Sequence, residues 1–227
     1  VFVNRRRDGS LYHEEKAITP MRDDQGRITH FVSTGKDIST HIQYQEQIQH
    51  LAQHDQLTDL PNRSLFNDRL QQAIRRADRR GNRVALLFCD LNDFKSINDR
   101  FGHHAGDQLL QEVAERLRAC GRREDTVARV GGDEFILLLE GISARDEAEG
   151  VARRLQQALA TPFQVAGEQR CIGVSIGLAF YPDDSTSREG LITAGDRAMY
   201  RHKADREGAC RSFGELSPAE DDRGQPD

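Results

Sequence analysis

The sequence lacks any C-x-x-C pair: its four cysteines, Cys89, Cys120, Cys171 and Cys210, are scattered along 227 residues. That spacing argues against a zinc site and a disulfide framework, and it fits a reducing cytoplasm. No apolar run approaches the roughly 20 residues that span a bilayer, so no membrane segment is expected. There is no excess of basic residues either. The formal net charge is −5, which argues against a general nucleic-acid binder. An acidic protein that handles a phosphorylated ligand needs bound cations to offset the repulsion, so metal is expected wherever such a ligand sits. An initiator methionine is also missing. The chain opens at Val1, directly on residues that read as a strand, and is expected to be part of a longer protein whose upstream portion could carry an anchor or signal segment.

What is present fits a soluble chain with a core: 37% of residues are hydrophobic and 30% charged. The length suits one ordinary domain plus a substantial extra piece. Residues 1–38 read as strands and turns, with Asp8-Gly9 as a hairpin between Val1–Asn4 and Leu11–Ile18, and Asp23–Gly26 leading into Ile28–Ser33. Ser39 is the expected N-cap of a linker helix over 39–53. Within it His41, Tyr44, Ile48 and Leu51 form a two-heptad seam, open to two readings: an amphipathic linker packed on its own domain, or a dimerising helix.

From His54 helices and strands alternate, over a domain expected at 54–213. Ser64 is expected to cap a helix with an apolar stripe at Leu65, Phe66, Leu70, Ala73, Ile74 and Ala77. Val84–Cys89 is a continuous apolar run of strand length that ends at Asp90, the pattern of a strand buried on both faces. Phe94, Ile97 and Phe101 mark a short helix ending at Gly102, and Leu109, Leu110, Val113, Ala114 and Leu117 a longer one. Thr126–Val130, Gly131-Gly132 and Asp133–Leu139 read as strand, turn, strand, because paired glycines tolerate the positive φ of tight hairpins. Ser143 and Asp146 open a further helix with a capping-box-like pair. Ile172–Phe180 is a strand and Leu191–Lys203 a helix, while the acidic tail over 214–227 is expected to be disordered. The fold class expected is α/β: a split-βαβ, palm-like sandwich with a central, mainly antiparallel sheet, preceded by the β-segment and linker helix.

Chemistry concentrates at three acids. Asp90 directly follows a buried strand, and Asp133 and Glu134 sit at a hairpin tip. If the two elements are neighbours, about 4.8 Å apart, the carboxylates converge at one end of the sheet. Crowded carboxylates need cations, and oxygen-only ligation suits Mg²⁺ with positions left for water and phosphate. That is the protein half of a two-metal phosphoryl- or nucleotidyl-transfer site. Strand alternation objects, since it places Asp133 and Glu134 on opposite faces. Acids at strand ends and turns are most often simply solvated, and on spacing alone that reading leads.

The longer motifs reverse the order. Arg129-Val-Gly-Gly-Asp-Glu-Phe-Ile, preceded by Asp90-Leu-Asn-Asp-Phe-Lys-Ser-Ile-Asn-Asp-Arg-Phe-Gly-His-His-Ala-Gly-Asp, resembles the GGDEF family of diguanylate cyclases. His54-Asp-Gln-Leu-Thr-Asp-Leu-Pro-Asn-Arg resembles that family's N-terminal signature, and the likeness covers residues 50–213 in the family's order. Asn4-Arg-Arg-Arg-Asp-Gly-Ser-Leu-Tyr through Gly35-Lys-Asp-Ile resembles the C-terminal half of a PAS sensory domain.

The family resemblance implies a nucleotide-cyclase-type fold and Mg²⁺-dependent condensation of two GTP into cyclic di-GMP by a homodimer of facing half-sites. Asp90, the Leu91 carbonyl, Asp133 and Glu134 would hold two Mg²⁺ ions, with Mn²⁺ as an alternative. Asp133 would also be the base for the ribose 3′-hydroxyl. Lys95, otherwise a solvated helix lysine, would stabilise phosphate charge. Asn98 and Asp107 would read the guanine edge, the bland reading of Asp107 being an N-cap before Gln108. His103, otherwise a turn residue, would lie against the nucleotide, and Gly131 and Gly132 would let backbone approach phosphate. Lys203 matches the lysine of the family's Lys-x-x-Gly-Arg, whose two cations contact phosphates, but Glu207 stands at the arginine position. Arg206 or Arg211 would have to substitute. Arg122 and Asp125, with Asp125 six residues before Gly131, match the family's Arg-x-x-Asp product-inhibition site; alone they would be a solvated charge cluster.

Four other readings compete. A purely structural partner domain would leave the acids at Asp90, Asp133 and Glu134 unexplained. A binding module that holds GTP or cyclic di-GMP without reacting would usually have lost one signature acid, and both are kept. A cyclase accepting ATP would carry a small hydroxyl residue at position 107. A phosphodiesterase would need a Glu-Ala-Leu motif, which the chain does not contain.

Overall fold

The computed structural model describes residues 1–205 and 211–212, and these divide into two units, 1–52 and 53 onwards. In the first, β1 (Phe2–Arg5), β2 (Leu11–Arg22) and β3 (Ile28–Asp37) form an antiparallel sheet in that order. Both turns fall where expected and are held by aspartates. Asp8 Oδ1 accepts from the Ser10 amide and Asp23 Oδ1 from the Gln25 and Arg27 amides, the local bonding that favours Asp in turns. Helix α1 (Ser39–Gln53) follows, but Ser39 does not cap it. Its hydroxyl accepts from the His13 amide of β2 at 2.8 Å, and its own amide donates to Asp37 Oδ1. No residue of α1 is buried, and Tyr44, Ile48 and Leu51 are 62%, 65% and 48% exposed.

The second unit contains α2 (Arg63–Arg80), β4 (Arg83–Leu91), α3 (Phe94–Phe101), α4 (His103–Cys120), β5 (Thr126–Arg129) and β6 (Glu134–Ile142). It continues with α5 (Arg145–Ala160), β7 (Phe163–Val165), β8 (Glu168–Arg170), β9 (Val174–Tyr181), α6 (Arg188–Asp205) and β10 (Arg211–Ser212). The five-stranded sheet runs β10-β9-β4-β6-β5, antiparallel except for the β9–β10 pair, which bears out the expected α/β class. The β7–β8 hairpin is separate and was not foreseen; its strands are three residues each, too short to show a period.

The central strand is buried along its length, as its unbroken apolar run requires. Ala85, Leu87, Cys89 and Leu91 face one core with α4 and α5, while Val84, Leu86 and Phe88 face the other with α2 and α6. Each fully buried leucine here stabilises by roughly 1.5–3 kcal/mol. Two hydrophobic layers thus grip β4, and the residue that ends its second face is Asp90.

Helix starts differ from expectation. Asn62, not Ser64, caps α2: its Oδ1 accepts from the Ser64 and Leu65 amides, a cap worth ~1 kcal/mol. At α5 the bond is reversed, with Glu147 Oε1 accepting from the Ser143 amide and Asp146 taking no part in it. Helix α4 already begins at His103, so Asp107 lies inside it and is not an N-cap.

Candidate active site

Asp90 and Glu134 are directly paired across the β4–β6 ladder, which puts their side chains on the α2/α6 face. Asp133 precedes β6, and its backbone carbonyl accepts from the Leu91 amide at 3.3 Å. Asp133 lies outside the ladder, so strand alternation does not fix the face of its side chain. The Asp90 side chain is 9% exposed and accepts at Oδ1 from Lys203 Nζ of α6 at 2.6 Å. The hydrogen bond to Asp90 raises the Lys203 pKa against its partial burial, and the charges of Asp90, Asp133 and Glu134 add to the effect. All three acids therefore act on one ammonium group.

Lys203 is delivered by tight helix–sheet packing. The preceding residue, His202, is 2% exposed and accepts at Nδ1 from the Ile176 amide of β9 at 2.9 Å. Helix α6 comes this close because Gly177 and Gly195 face the contact; a Cβ on Gly177 would lie 2.1 Å from the Met199 backbone nitrogen.

The glycine pair of the turn works differently from the hairpin reading. Neither Gly131 nor Gly132 has a positive φ. Gly131 makes room for the Glu134 carboxylate, whose Oε2 would be 2.4 Å from an added Cβ, while at Gly132 a Cβ would meet nothing within 4 Å. A cation-rich clamp supports this turn. Arg129 donates through Nε and Nη2 to the Gly132 carbonyl at 3.1 and 2.7 Å, and through Nη1 to Asp55 at 2.9 Å. Arg63 donates twice to the Val130 carbonyl and lies 3.9 Å from Glu134. Burial pushes the Asp55 carboxyl up, but hydrogen bonds from Thr58 and the Arg129 ion pair outweigh it and hold the pKa below the ordinary value. Asp55, Arg63 and Arg129 stood in the quoted motifs without a role. An acid in one motif and an arginine in the other was the available signal.

The remaining expected residues lie on α3 and α4. Lys95, His103 and Asp107 are exposed, His103 and Asp107 one helical turn apart. Asn98 Oδ1 is buried without a hydrogen-bond partner and packs on Gly106, where a Cβ would sit 1.9 Å from it. Arg206 and Glu207 lie outside the described residues, as does the side chain of Arg211. Arg122 is exposed, 3.7 Å from Glu147, whereas Asp125 is half-buried, accepts from the Arg122 amide at 2.8 Å and has its pKa raised by that burial.

Among the described residues no three His, Cys, Asp or Glu side chains close round one point as a formed metal site. The donor set nonetheless fits a hard cation: a nearly buried carboxylate at Asp90, a second opposite it, and an ammonium already drawn to the first. A cavity of about 420 Å³ lies elsewhere, lined by Arg76, Arg80, Arg122, Glu124 and Glu140. A second cavity, of about 360 Å³, adjoins the signature turn and is lined by Arg63, Val130, Glu134 and Met199 among others.

Residues 52–209 match the family described as diguanylate cyclase, GGDEF domain. Over 161 residues the chain is 50% identical to the bifunctional diguanylate cyclase/cyclic di-GMP phosphodiesterase MucR of Pseudomonas aeruginosa, covering 70% of this chain and 23% of MucR. It is 39% identical over 163 residues to diguanylate cyclase TpbB of the same organism, covering 71% of this chain and 38% of TpbB. The solved GGDEF domain of TpbB aligns with a TM-score of 0.69 at 38% identity, over 70% of this chain and 94% of that one. The coiled coil and GGDEF domain of DgcB from Caulobacter crescentus, solved with c-di-GMP, gives a TM-score of 0.70 at 25% identity, over 77% of this chain and 93% of that one. The chain spans well under half the length of the curated relatives MucR and TpbB. Sheet order, acid placement and these likenesses agree: the chain belongs to the GGDEF-domain family of diguanylate cyclases.

Proposed function

We propose that the chain condenses two GTP molecules into cyclic di-GMP, releasing two pyrophosphates, across two facing copies of the site. The observation that carries this reading is the pairing of Asp90 with Glu134 at the end of a buried strand, where a cation is already bound by Asp90. Asp90, the Leu91 carbonyl, Asp133 and Glu134 would hold two Mg²⁺ ions. When bound, these would polarise the α-phosphate and offset charge on the leaving pyrophosphate. Asn98 and Asp107 would orient the guanine, with His103 against the nucleotide. Asp133 would take the 3′-hydroxyl proton as that oxygen bonds to the partner GTP's α-phosphorus and the bond to its β-phosphate oxygen breaks. Lys95 and Lys203 would balance phosphate charge.

Two α-phosphates must each be attacked by the other GTP's hydroxyl, and one such site holds one GTP, so two chains are needed. The exposed seam at Tyr44, Ile48 and Leu51 supports pairing through α1. Purified protein with GTP and Mg²⁺ is expected to yield cyclic di-GMP by mass. In the dilute range a tenfold dilution should lower the rate per volume about a hundredfold, as pairing requires. A rate strictly proportional to protein where only monomer is detected would contradict the two-chain reading. GTP binding without any product would instead leave a binding module. Residues 1–38 are read as the C-terminal strands of a PAS sensory domain, supported by their three-stranded antiparallel sheet. Among the described residues no helix is long and apolar enough to cross a membrane, and a cytoplasmic location is part of the same reading.

Product inhibition through Arg122 is proposed on the same basis. Arg122 is exposed and lines a cavity with Arg80 and with Arg76, whose fork Glu140 already holds at 2.9 and 2.8 Å; the Arg122 fork itself suits planar, bidentate recognition of phosphate or guanine acceptors. Asp125 is held by backbone amides, so its replacement would disturb the turn. Arg122→Ala is therefore the cleaner variant. It is expected to weaken inhibition by added cyclic di-GMP by about tenfold or more while uninhibited turnover survives, read from product-inhibition curves. Identical curves for the two proteins would leave the pair as surface charge.

A further inference from the structure

We infer that Lys203 is a built-in counter-cation, which occupies Asp90 when no metal is bound and must leave it before a divalent ion can bind there. This rests on Asp90 being a metal ligand, as proposed above. The ion pair is not an ordinary surface salt bridge, which would be screened and weak. One partner, Asp90, is almost fully buried, while the other reaches it from a half-exposed stem. A buried carboxylate without a cation is costly, so in the absence of metal the ammonium is held in place. The ion would have to bind the same small carboxylate, whose Oδ1 already accepts from Lys203 Nζ at 2.6 Å. Two cations on one poorly solvated carboxylate repel strongly, since burial removes the water that would screen them. Metal and lysine therefore compete for Asp90.

The geometry also supplies an exit. Helix α6 is fixed to β9 through His202 and the Gly177 contact, so the helix need not move. The Lys203 side chain is 46% exposed, which leaves its stem free to swing. A triphosphate placed at the sheet end would offer the ammonium a second anionic partner. Drawing Lys203 onto phosphate would free Asp90, so nucleotide and metal would each promote binding of the other beyond any direct contact between them. In the absence of nucleotide the site would resist metal.

The test measures metal binding without turnover. Wild type, Lys203→Met, Lys203→Arg and Asp90→Asn are stripped with chelator and titrated with Mn²⁺ without nucleotide, free Mn²⁺ being read by electron paramagnetic resonance. Lys203→Met is expected to bind Mn²⁺ about ten- to a hundredfold more tightly than wild type, because the competing charge is gone. Its melting temperature in chelator should be lower than that of wild type, and Mg²⁺ should raise it by more. Lys203→Arg keeps the cation and should bind Mn²⁺ like wild type, and Asp90→Asn should lose the site. Equal affinity in wild type and Lys203→Met, with the site lost in Asp90→Asn, would overturn the counter-cation while leaving the metal site standing. Unchanged binding in Asp90→Asn would remove the metal site and this inference together. Should Lys203→Met fail to fold, the wild-type lysine ¹⁵N spectrum decides, with the Lys203 signal assigned through Lys203→Arg. Saturating Mg²⁺ should move that signal to the position of a solvated lysine, and an unmoved signal would overturn the inference.

Discussion

Asp90→Ala and Asp133→Ala are each expected to lower cyclic di-GMP formation by about a thousandfold or more, with the fold retained. The size follows from the chemistry: a metal that offsets charge on the α-phosphate and leaving pyrophosphate contributes several kcal/mol to the transition state, and each ~1.36 kcal/mol is tenfold in rate. Retention of the fold follows from what each side chain does. Removing Asp90 leaves Lys203 unpaired, but Lys203 is half-exposed and can turn into water. The reverse change is the harsher one for stability, since it strands a buried carboxylate. Asp133 holds Leu91 through its backbone carbonyl, which alanine keeps. Product measured by mass and thermal melts by circular dichroism check both halves. Near-normal turnover in either folded variant would remove these acids from the metal site.

The central strand was legible in the sequence for a simple reason. An apolar run with no alternation has to be buried on both faces, and Val84 to Leu91 is. Acids at the ends of two neighbouring elements were legible, but not that Asp90 and Glu134 pair directly while Asp133 lies outside the ladder. Period-two alternation applies within a ladder, and the chain cannot announce that the ladder stops between Asp133 and Glu134. The Lys203–Asp90 bond joins residues 113 apart, with no local spacing to reveal it. Cap chemistry failed in a similar way. Asn62 and Ser64 both suit an N-cap, and the choice depends on how Pro61 turns the chain, since its carbonyl accepts from the Arg129 amide of β5. Ser39 looked like a cap and is instead bonded to β2, a long-range contact that overrides a local preference. At Gly131 paired glycines suggest a need for positive φ, whereas the demand is the space needed by Glu134 three residues along the motif.

That same dependence on space, rather than on φ, sets the largest expected effect on stability. Gly177→Ala places a Cβ on the face of β9 that meets α6, 2.1 Å from the Met199 nitrogen and 2.5 Å from the Gly195 carbonyl oxygen. Both are backbone atoms, so no side-chain rotation can relieve the clash; helix or strand must shift. Overpacking of a tight core costs about 1–3 kcal/mol when side chains can adjust, and a clash with backbone should exceed that, at roughly 4 kcal/mol or more. A shifted α6 would also strain the bond between His202 and the Ile176 amide and carry Lys203 away from Asp90. The variant is expected to accumulate as insoluble protein, or to unfold at a much lower denaturant midpoint. Gly150→Ala is the matched control. It lies inside α5, where the nearest atom to an added Cβ is Arg154 Nη1 at 3.9 Å, ordinary contact distance. Alanine there should stabilise by about 0.5–1 kcal/mol through helix propensity. Denaturant titrations of both variants decide the matter. A Gly177→Ala midpoint near that of wild type would mean that α6 does not press on β9 as described, and that Lys203 reaches Asp90 by some looser arrangement.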